Sequence, residues 1–212
     1  IDTSQRKGSV ALHIGPEMVE QRLFSADMKH TAELFPAIEA ILGHNSIKKA
    51  DISQILITAG PGSFTGLRIA VTAAKIMALA ADIPVTALNT HEVLAQNAIE
   101  LEKKININIE NLATVLDAKR NKFHIALFKK NADLWQRISQ DLVISAKQFL
   151  EQTAPTVQGD IWLLGEGLKY HYEKFSAPNI RRAPVENCFI QAKNILPAAA
   201  LLPPEKRFTA PA

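Results

Sequence analysis

ILITAGPGSFTGLRI, residues 55–69, is the stretch that decides the fold. It begins with an apolar run at 55–59, continues through a turn rich in glycine and proline, and leads into an apolar segment at 65–81. That segment contains no proline and no glycine after Gly66. The order predicts a buried strand, a tight turn and a long helix, as in α/β folds. Phosphate sites use the same order, because the first turn of a helix has unpaired N–H donors.

The glycine turn lacks the sequence of either common nucleotide-binding motif. In a Walker A loop the second glycine would fall on Thr65 or Leu67, and in the dinucleotide pattern Gly66 comes one place late. A rigid turn packed against a neighbouring element accounts for the same residues, since Pro61 fixes one backbone angle and the glycines permit close approach. The turn therefore predicts a fixed helix start, and anion binding is the alternative.

Composition is that of an ordinary globular protein. Of 212 residues, 47% are hydrophobic and 21% are charged, and the net charge is only +3, so direct nucleic-acid binding is permitted but not indicated. The single cysteine, Cys188, excludes an internal disulfide and favours a reducing, cytoplasmic setting. The apolar stretches are interrupted by charge or proline, so we expect no membrane span.

The chain restarts its pattern near the middle. A shift of 115 positions places Leu116-Asp117 on Ile1-Asp2, and 125–127 on 10–12. Both halves open with a strand that ends in Asp, a polar hairpin and a second strand, which favours an internal duplication over a chance match. The polar segment 104–111 predicts the border. We expect an N-terminal lobe at 1–103 and a C-terminal lobe at 104–212, with a final helix at about 189–202 that packs back on the first lobe.

Four stretches together resemble the TsaB family, also called YeaZ. They are residues 1–4 with 9–12, residues 30–31 leading into 34–36, the run 60–69, and residues 116–120. The resemblance covers nearly the whole chain, although the sequence past Pro203 departs from it. It implies an α/β, two-lobed actin-like fold, the duplicated RNase H-like architecture of sugar kinases and heat-shock ATPases. This fold agrees with the duplication.

The family's function is to support TsaD in making threonylcarbamoyladenosine at position 37 of tRNAs that read codons starting with A. The resemblance thus implies a non-catalytic subunit with TsaD and the ATPase TsaE as partners, contact with tRNA through the complex, and a homodimer when alone. It further implies a partner interface on the helices at 29–42 and 65–81 and on the glycine turn. The expected interface residues are His30, Leu34, Gly60, Gly62, Gly66, Arg68, Ala70 and Ala74.

The superfamily holds nucleotide phosphates between two glycine-bearing hairpins. Here the corresponding positions are Asp2 and Ser4 in one hairpin and Asp117 and Lys119 in the other, with no glycine beside either Asp. Both carboxylates can equally cap turns. We therefore expect degenerate nucleotide loops, no catalytic residue and no cofactor in the isolated chain, with ATP or ADP only in the assembled complex.

Metal chemistry is the remaining possibility. The histidine pair of TsaD falls on Thr90 and Leu94, and His91 is one residue out of register, so no metal site is expected. Two alternatives stay open: a glycoprotease-like metallopeptidase of the same superfamily, and a stand-alone kinase-like enzyme.

Overall fold

The computed structural model describes residues 1–132 and 134–202, which divide into two compact units. Unit 1 contains Ile1–Val93 and residues 190–202, and unit 2 is Leu94–Phe189. The division lies before the border expected at 103/104. The reason is that residues just after Val93 bond within unit 2: the Gln96 side chain donates to the backbone oxygen of Trp135 at 3.1 Å.

Unit 1 consists of two strand pairs and the helices that cover them. Its elements are β1 (Ser9–Ile14), β2 (Glu17–Leu23), α1 (His30–His44), β3 (Ile55–Thr58), α2 (Phe64–Ala81), β4 (Val85–Leu88) and α7 (Ile195–Ala199). Helix α3 (Thr90–Ala95) crosses the border between the units. The strand, turn and helix predicted from residues 55–81 are thus present.

The first residues of the chain join the two strand pairs of unit 1. Asp2 forms an antiparallel bridge with Ser9 in β1. On the other side, the Ile1 nitrogen donates to Leu56 at 2.8 Å, and the Thr58 nitrogen donates to the Ile1 oxygen at 3.3 Å, which is the pattern of a parallel pair. The resulting order is β4, β3, residues 1–3, β1, β2.

Unit 2 contains one mixed sheet with short helices. Its elements are α4 (Asn97–Ile105), β5 (Asn111–Asp117), β6 (Phe123–Asn131), β7 (Leu134–Arg137), β8 (Leu142–Ile144), α5 (Ala146–Gln148), β9 (Ile161–Leu164), α6 (Glu166–His171) and β10 (Ile180–Arg182). The strand order is β10, β9, β5, β6, β7, and β8 also pairs with β6.

The two units have the same strand order and the same strand directions. In each, the first strand lies between a parallel pair on one side and an antiparallel hairpin on the other. Asp2 and Asp117 end the equivalent first strands, as the 115-residue shift predicts. This arrangement is the duplicated, actin-like α/β fold expected from the sequence.

Several elements differ in extent from the sequence prediction. The helix expected at 189–202 is reduced to a 3-10 turn at Ala192–Asn194 and the short α7, because the residues before α7 bond in an extended run to other parts of unit 1. The Ile190 nitrogen, for example, donates to the Gln5 side chain at 2.7 Å. Residues 134–144 form two strands, β7 and β8, and residues 90–105 form two helices, α3 and α4. The departure past Pro203 lies outside the described residues.

Each unit has its own apolar core. In unit 1, Leu34 and Ala73 pack with residues of β1, and Ala74 packs with Ile55 and Ile57 of β3. The largest buried side chains of unit 2 are aromatic: Trp135, Phe123, Phe128, Phe149 and Phe175. Burial of a large apolar side chain stabilises a fold by roughly 1.5–3 kcal/mol. In unit 1 the buried side chains of α1 and α2 therefore fix these two helices on the sheet.

Candidate functional site

The glycine turn packs directly against the start of the chain. The Ser63 nitrogen donates to the Ser4 oxygen at 2.7 Å, and the Thr3 hydroxyl donates to the Gly66 oxygen at 2.7 Å. A Cβ on Gly62 would overlap the Ser4 oxygen, and a Cβ on Gly66 would overlap the Thr3 oxygen. The glycines are therefore needed for close contact between two backbone segments. A carbonyl oxygen of the chain itself lies where an anion would approach the turn.

The same turn begins helix α2. Ser63 is the N-cap, and its hydroxyl accepts from the Gly66 nitrogen at 3.3 Å. This contact satisfies one of the unpaired donors of the first turn. Ser63 therefore has a structural role that was not predicted from the sequence, although a Ser directly before the first residue of an apolar helix is a recognisable signal.

The structure places the expected interface residues in two different environments. His30, Leu34, Gly66, Ala70 and Ala74 are buried inside unit 1, and the imidazole Nε2 of His30 lies 2.8 Å from the Gln5 oxygen. Gly60 is half-buried, whereas Gly62 and Arg68 are exposed. His30, Leu34, Gly66, Ala70 and Ala74 are thus covered within unit 1, where they position the two helices. Their place at a partner interface stays a prediction.

A groove of about 360 Å³ runs between α1 and α2. Leu34 forms its floor, and larger apolar side chains, Phe35, Ile69 and Ile76, line it together with Arg68. Apolar surface also continues along α2 beyond the groove. Ile76 in the groove is 56% exposed, and beyond the groove Leu79 is 76% exposed and Phe64, at the start of the helix, is 74% exposed. Contiguous apolar surface of this kind marks an interaction site.

Most residues of this exposed face are not among those predicted from the sequence. Ile69 and Ile76 are seven positions apart on α2, a spacing that places them on one side of a helix. That spacing was available in the sequence. Because α2 also carries an alanine-rich side, the pattern alone did not tell which side faces the sheet.

Helix α2 is long and apolar enough to cross a membrane by length and composition, and it is the single such helix in the described part of the chain. Arg68 and Lys75 interrupt this helix, as expected from the sequence, but its mean hydropathy is still high enough to pass. The core helix of a soluble protein passes the same test. Here the alanine side of α2 packs on the sheet, while the opposite side remains uncovered.

The first hairpin position, Asp2, is fully buried. Its Oδ1 accepts hydrogen bonds from the Ser4 nitrogen at 3.1 Å, the Ser4 hydroxyl at 2.6 Å and the Thr58 hydroxyl at 2.5 Å. Burial raises the pKa of Asp2, and the hydrogen bonds from Ser4 and Thr58 oppose that rise without cancelling it. Asp2 and Ser4 thus join the first strand to β3 and are closed to solvent.

The second hairpin position, Asp117, is more open. Its Oδ1 accepts from the Lys119 nitrogen at 2.8 Å, and its Oδ2 lies 2.7 Å from the Lys119 ammonium. Partial burial raises the pKa of Asp117, but the hydrogen bonds and the charge of Lys119 outweigh it, so the pKa is lower than usual. Asp117 and Lys119 therefore neutralise each other at the base of the hairpin.

No group of three His, Cys, Asp or Glu side chains in residues 1–132 and 134–202 is arranged to hold a metal ion. Thr90 and Leu94, the positions of the TsaD histidine pair, are both buried. Burial raises the pKa of the Cys188 thiol to about 11, which disfavours the reactive thiolate. The described residues thus give no support to a metallopeptidase or thiol-dependent site.

Two units with equivalent strand order, each with a hairpin after a first-strand Asp, define a duplicated actin-like protein whose exposed apolar site lies on α1 and α2. A family model described as "TsaD: tRNA N6-adenosine threonylcarbamoyltransferase" matches residues 24–191. The chain therefore belongs to this family, on its TsaB (YeaZ) branch.

Curated relatives agree with this assignment. A protein of Bacillus subtilis, "tRNA threonylcarbamoyladenosine biosynthesis protein TsaB", is 28% identical over 71% of this chain and 63% of its own length. A protein of the same name from Haemophilus influenzae is 29% identical over 72% of this chain and 65% of its own. The match thus spans slightly less than two thirds of each relative.

A solved structure, "YeaZ from Pseudomonas aeruginosa", superposes with a TM-score of 0.80. The superposition covers 99% of this chain and 93% of the other, at 21% sequence identity. This likeness supports the fold assigned above.

Proposed function

We propose that this chain is a non-catalytic partner of TsaD in the formation of threonylcarbamoyladenosine at position 37 of tRNAs that read codons starting with A. The names of its relatives, which refer to biosynthesis of this nucleoside, support the pathway. Membership of the TsaD family supports TsaD as the partner, because related chains commonly associate through equivalent surfaces.

The observation that carries the proposal is the uncovered apolar face of α1 and α2. We define this face by Phe35, Ile69, Ile76 and Leu79, with Arg68 at its edge. A partner that places helices in the groove would remove these side chains from water, and the groove's small residues permit close helix packing. The Arg68 guanidinium, 5.4 Å from the Phe64 ring centroid, is placed to pair with a carboxylate of the partner.

The non-catalytic assignment is supported by the state of the two nucleotide-loop positions. Asp2 is held by Ser4 and Thr58, and Asp117 is paired with Lys119. The glycine turn is occupied by the carbonyl groups of Thr3 and Ser4. In this proposal the isolated chain holds no nucleotide, and ATP or ADP binds only in the assembled complex.

The proposal has further parts that follow from the resemblance. TsaE joins the complex, tRNA is modified by it, and the whole set is cytoplasmic. Without TsaD, two copies of this chain cover each other's α1–α2 face and form a homodimer. The same apolar side chains then serve both associations, so the homodimer must dissociate before TsaD can bind.

The test is reconstitution with and without this chain. Purified TsaD, TsaE, ATP, carbonate, threonine and an unmodified tRNA are incubated, and the modified nucleoside is measured by liquid chromatography and mass spectrometry. The proposal requires nucleoside to form only when this chain is present. Equal yield in its absence would show that the chain is not the partner in question.

A further inference from the structure

Unit 2 has a basic surface that the proposed function does not use. Its members are the hairpin tip at 118–122 and three side chains that follow β9, namely Tyr172, Lys174 and Arg182. We call this set the basic hairpin surface. It is separate from the α1–α2 face, which belongs to unit 1.

Direct contacts hold the members of the basic hairpin surface together. The Lys174 ammonium donates to the Asn121 side chain at 2.5 Å, which joins the hairpin tip to the turn after α6. The Arg182 guanidinium lies 3.7 Å from the centre of the Tyr172 ring and donates to the backbone oxygen of Tyr172 at 3.0 Å. The cations and the aromatic ring therefore form one continuous surface.

The charge of this surface differs from that of the chain as a whole. Segments 117–122, 169–174 and 180–182 contain seven Lys and Arg against two Asp and Glu, whereas the entire chain has a net charge of only +3. Within the described residues, Lys119 pairs with Asp117 and Arg181 pairs with Asp160. Over the same residues, four cations have no carboxylate partner: Arg120, Lys122, Lys174 and Arg182. Such a concentration of unneutralised charge fits a polyanion.

The backbone of the hairpin tip is unusual as well. Lys119, Arg120 and Asn121 have φ values of 65, 51 and 60°, in the left-handed region that residues with a side chain rarely adopt. Three such residues in succession are unfavourable, and the Asp117 side chain stabilises the turn by accepting from the Lys119 nitrogen. Strained backbone that projects exposed cations is a feature of binding sites.

We propose that the basic hairpin surface binds tRNA directly. Arg120, Lys122 and Lys174 contact phosphates, and the exposed part of the Tyr172 ring, backed by Arg182, stacks on an unpaired base. Cations that follow a backbone next to an aromatic ring are the common means of binding single-stranded nucleic acid. The choice of tRNA as the RNA rests on the proposed function, whereas the position of the site rests on the contacts and charges above.

The test compares two variants that lose the same charge. In the first, Arg120→Gln, Lys122→Gln and Lys174→Gln are combined; in the control, Lys103→Gln, Lys129→Gln and Lys147→Gln remove three exposed cations elsewhere in unit 2. Anisotropy of a labelled, unmodified tRNA transcript gives the Kd for the full chain, alone and with TsaD, over a range of salt concentrations.

We expect the first variant to bind tRNA about tenfold or more weakly near 100 mM salt, and the slope of log Kd against log salt to fall by about two to three. The control should change the Kd by less than about threefold. Tyr172→Ala should weaken binding about fivefold or more, and Tyr172→Phe should retain it, because the ring stacks without its hydroxyl. Circular dichroism and an unchanged melting temperature show that each variant is folded.

The inference would be overturned if the two triple variants bound tRNA with equal affinity. It would also be overturned if the unsubstituted chain bound no tRNA, either alone or with TsaD. Displacement of tRNA by stoichiometric ATP would assign the cations to a free nucleotide, and binding to phosphatidylserine vesicles without tRNA binding would assign them to a membrane. Either result also overturns it. If reconstitution fails while the tRNA difference persists, only the proposed partnership with TsaD is refuted.

Discussion

Replacement of Ile76 by Ala should weaken association through the α1–α2 face and leave the folding of unit 1 nearly unchanged. Ile76 is 56% exposed and lines the groove, so little of its side chain contributes to the core of unit 1. The substitution removes three carbons, which contribute about 0.8 kcal/mol each when fully buried. Just over half of that total, about 1.3 kcal/mol, is available to an association that covers the residue, which corresponds to about a tenfold rise in Kd.

The matched control for this change is Ile138→Ala. Ile138 is also 56% exposed, but it follows β7 in unit 2, far along the chain from the groove. Isothermal titration of each variant with TsaD gives the Kd, and thermal unfolding of each variant alone shows that stability is retained. Alanine favours the helix, so Ile76→Ala should not unfold α2. Equal affinities for the two variants would refute the assignment of the α1–α2 face as the interface.

Three further predictions concern the fold that supports this face. Gly66→Ala should strongly destabilise or unfold the chain, since its Cβ would overlap the Thr3 backbone oxygen. The control Gly43→Ala lies at an open helical position and should raise the free energy of unfolding by roughly 0.5–1 kcal/mol. Similar melting temperatures for the two variants would contradict the packing of the turn. Asp2→Asn should keep the hydrogen bonds to Oδ1, and its gain in the free energy of unfolding over the unsubstituted chain should be larger at pH 7 than at pH 4. A carboxyl whose folded pKa is raised stabilises the fold below its unfolded pKa and loses that contribution as pH rises through the folded pKa. The amide does not titrate, so the variant lacks this loss. Denaturant titrations at the two pH values measure this difference, and an unchanged pH dependence would show that Asp2 does not titrate as inferred. Cys188 should resist iodoacetamide at pH 8 in the folded chain and react once urea unfolds it, because burial raises its pKa to about 11; rapid labelling of the folded chain, followed by mass spectrometry, would contradict its burial.

Local sequence predicted the 55–81 region well because each part of it has a strong signal of its own. An aliphatic run, a glycine turn and a mostly apolar segment with no proline and no glycine after Gly66 leave few alternative structures. The duplication was also visible, since the shift that aligns Asp2 with Asp117 aligns the strands that follow. By contrast, the short final helix depends on bonds to Gln5, Ser9 and Gln21, which lie far away in the sequence.

The exposed apolar face was harder to predict for a specific physical reason. Both sides of α2 are apolar, so hydrophobicity alone does not show which side is buried. The small residues Ala70 and Ala74 face inward, because they allow the helix to approach the sheet closely, and the large Ile76 and Leu79 remain outside. The interface residues predicted from the sequence include Ala70 and Ala74, which lie on the buried side. The size of the side chains, combined with the need for close packing on the sheet, indicates which side of α2 is exposed.

The central claim is that TsaD activity depends on this chain through the α1–α2 face. Its most direct test is the yield of threonylcarbamoyladenosine on tRNA with TsaD and TsaE plus the unsubstituted chain, Ile76→Asp, or the matched Ile138→Asp. A carboxylate in an apolar interface loses hydration without gaining a partner, so Ile76→Asp should give little nucleoside, while the unsubstituted chain and Ile138→Asp give equal, high yields. Full yield with Ile76→Asp, or with no added chain, would contradict the account.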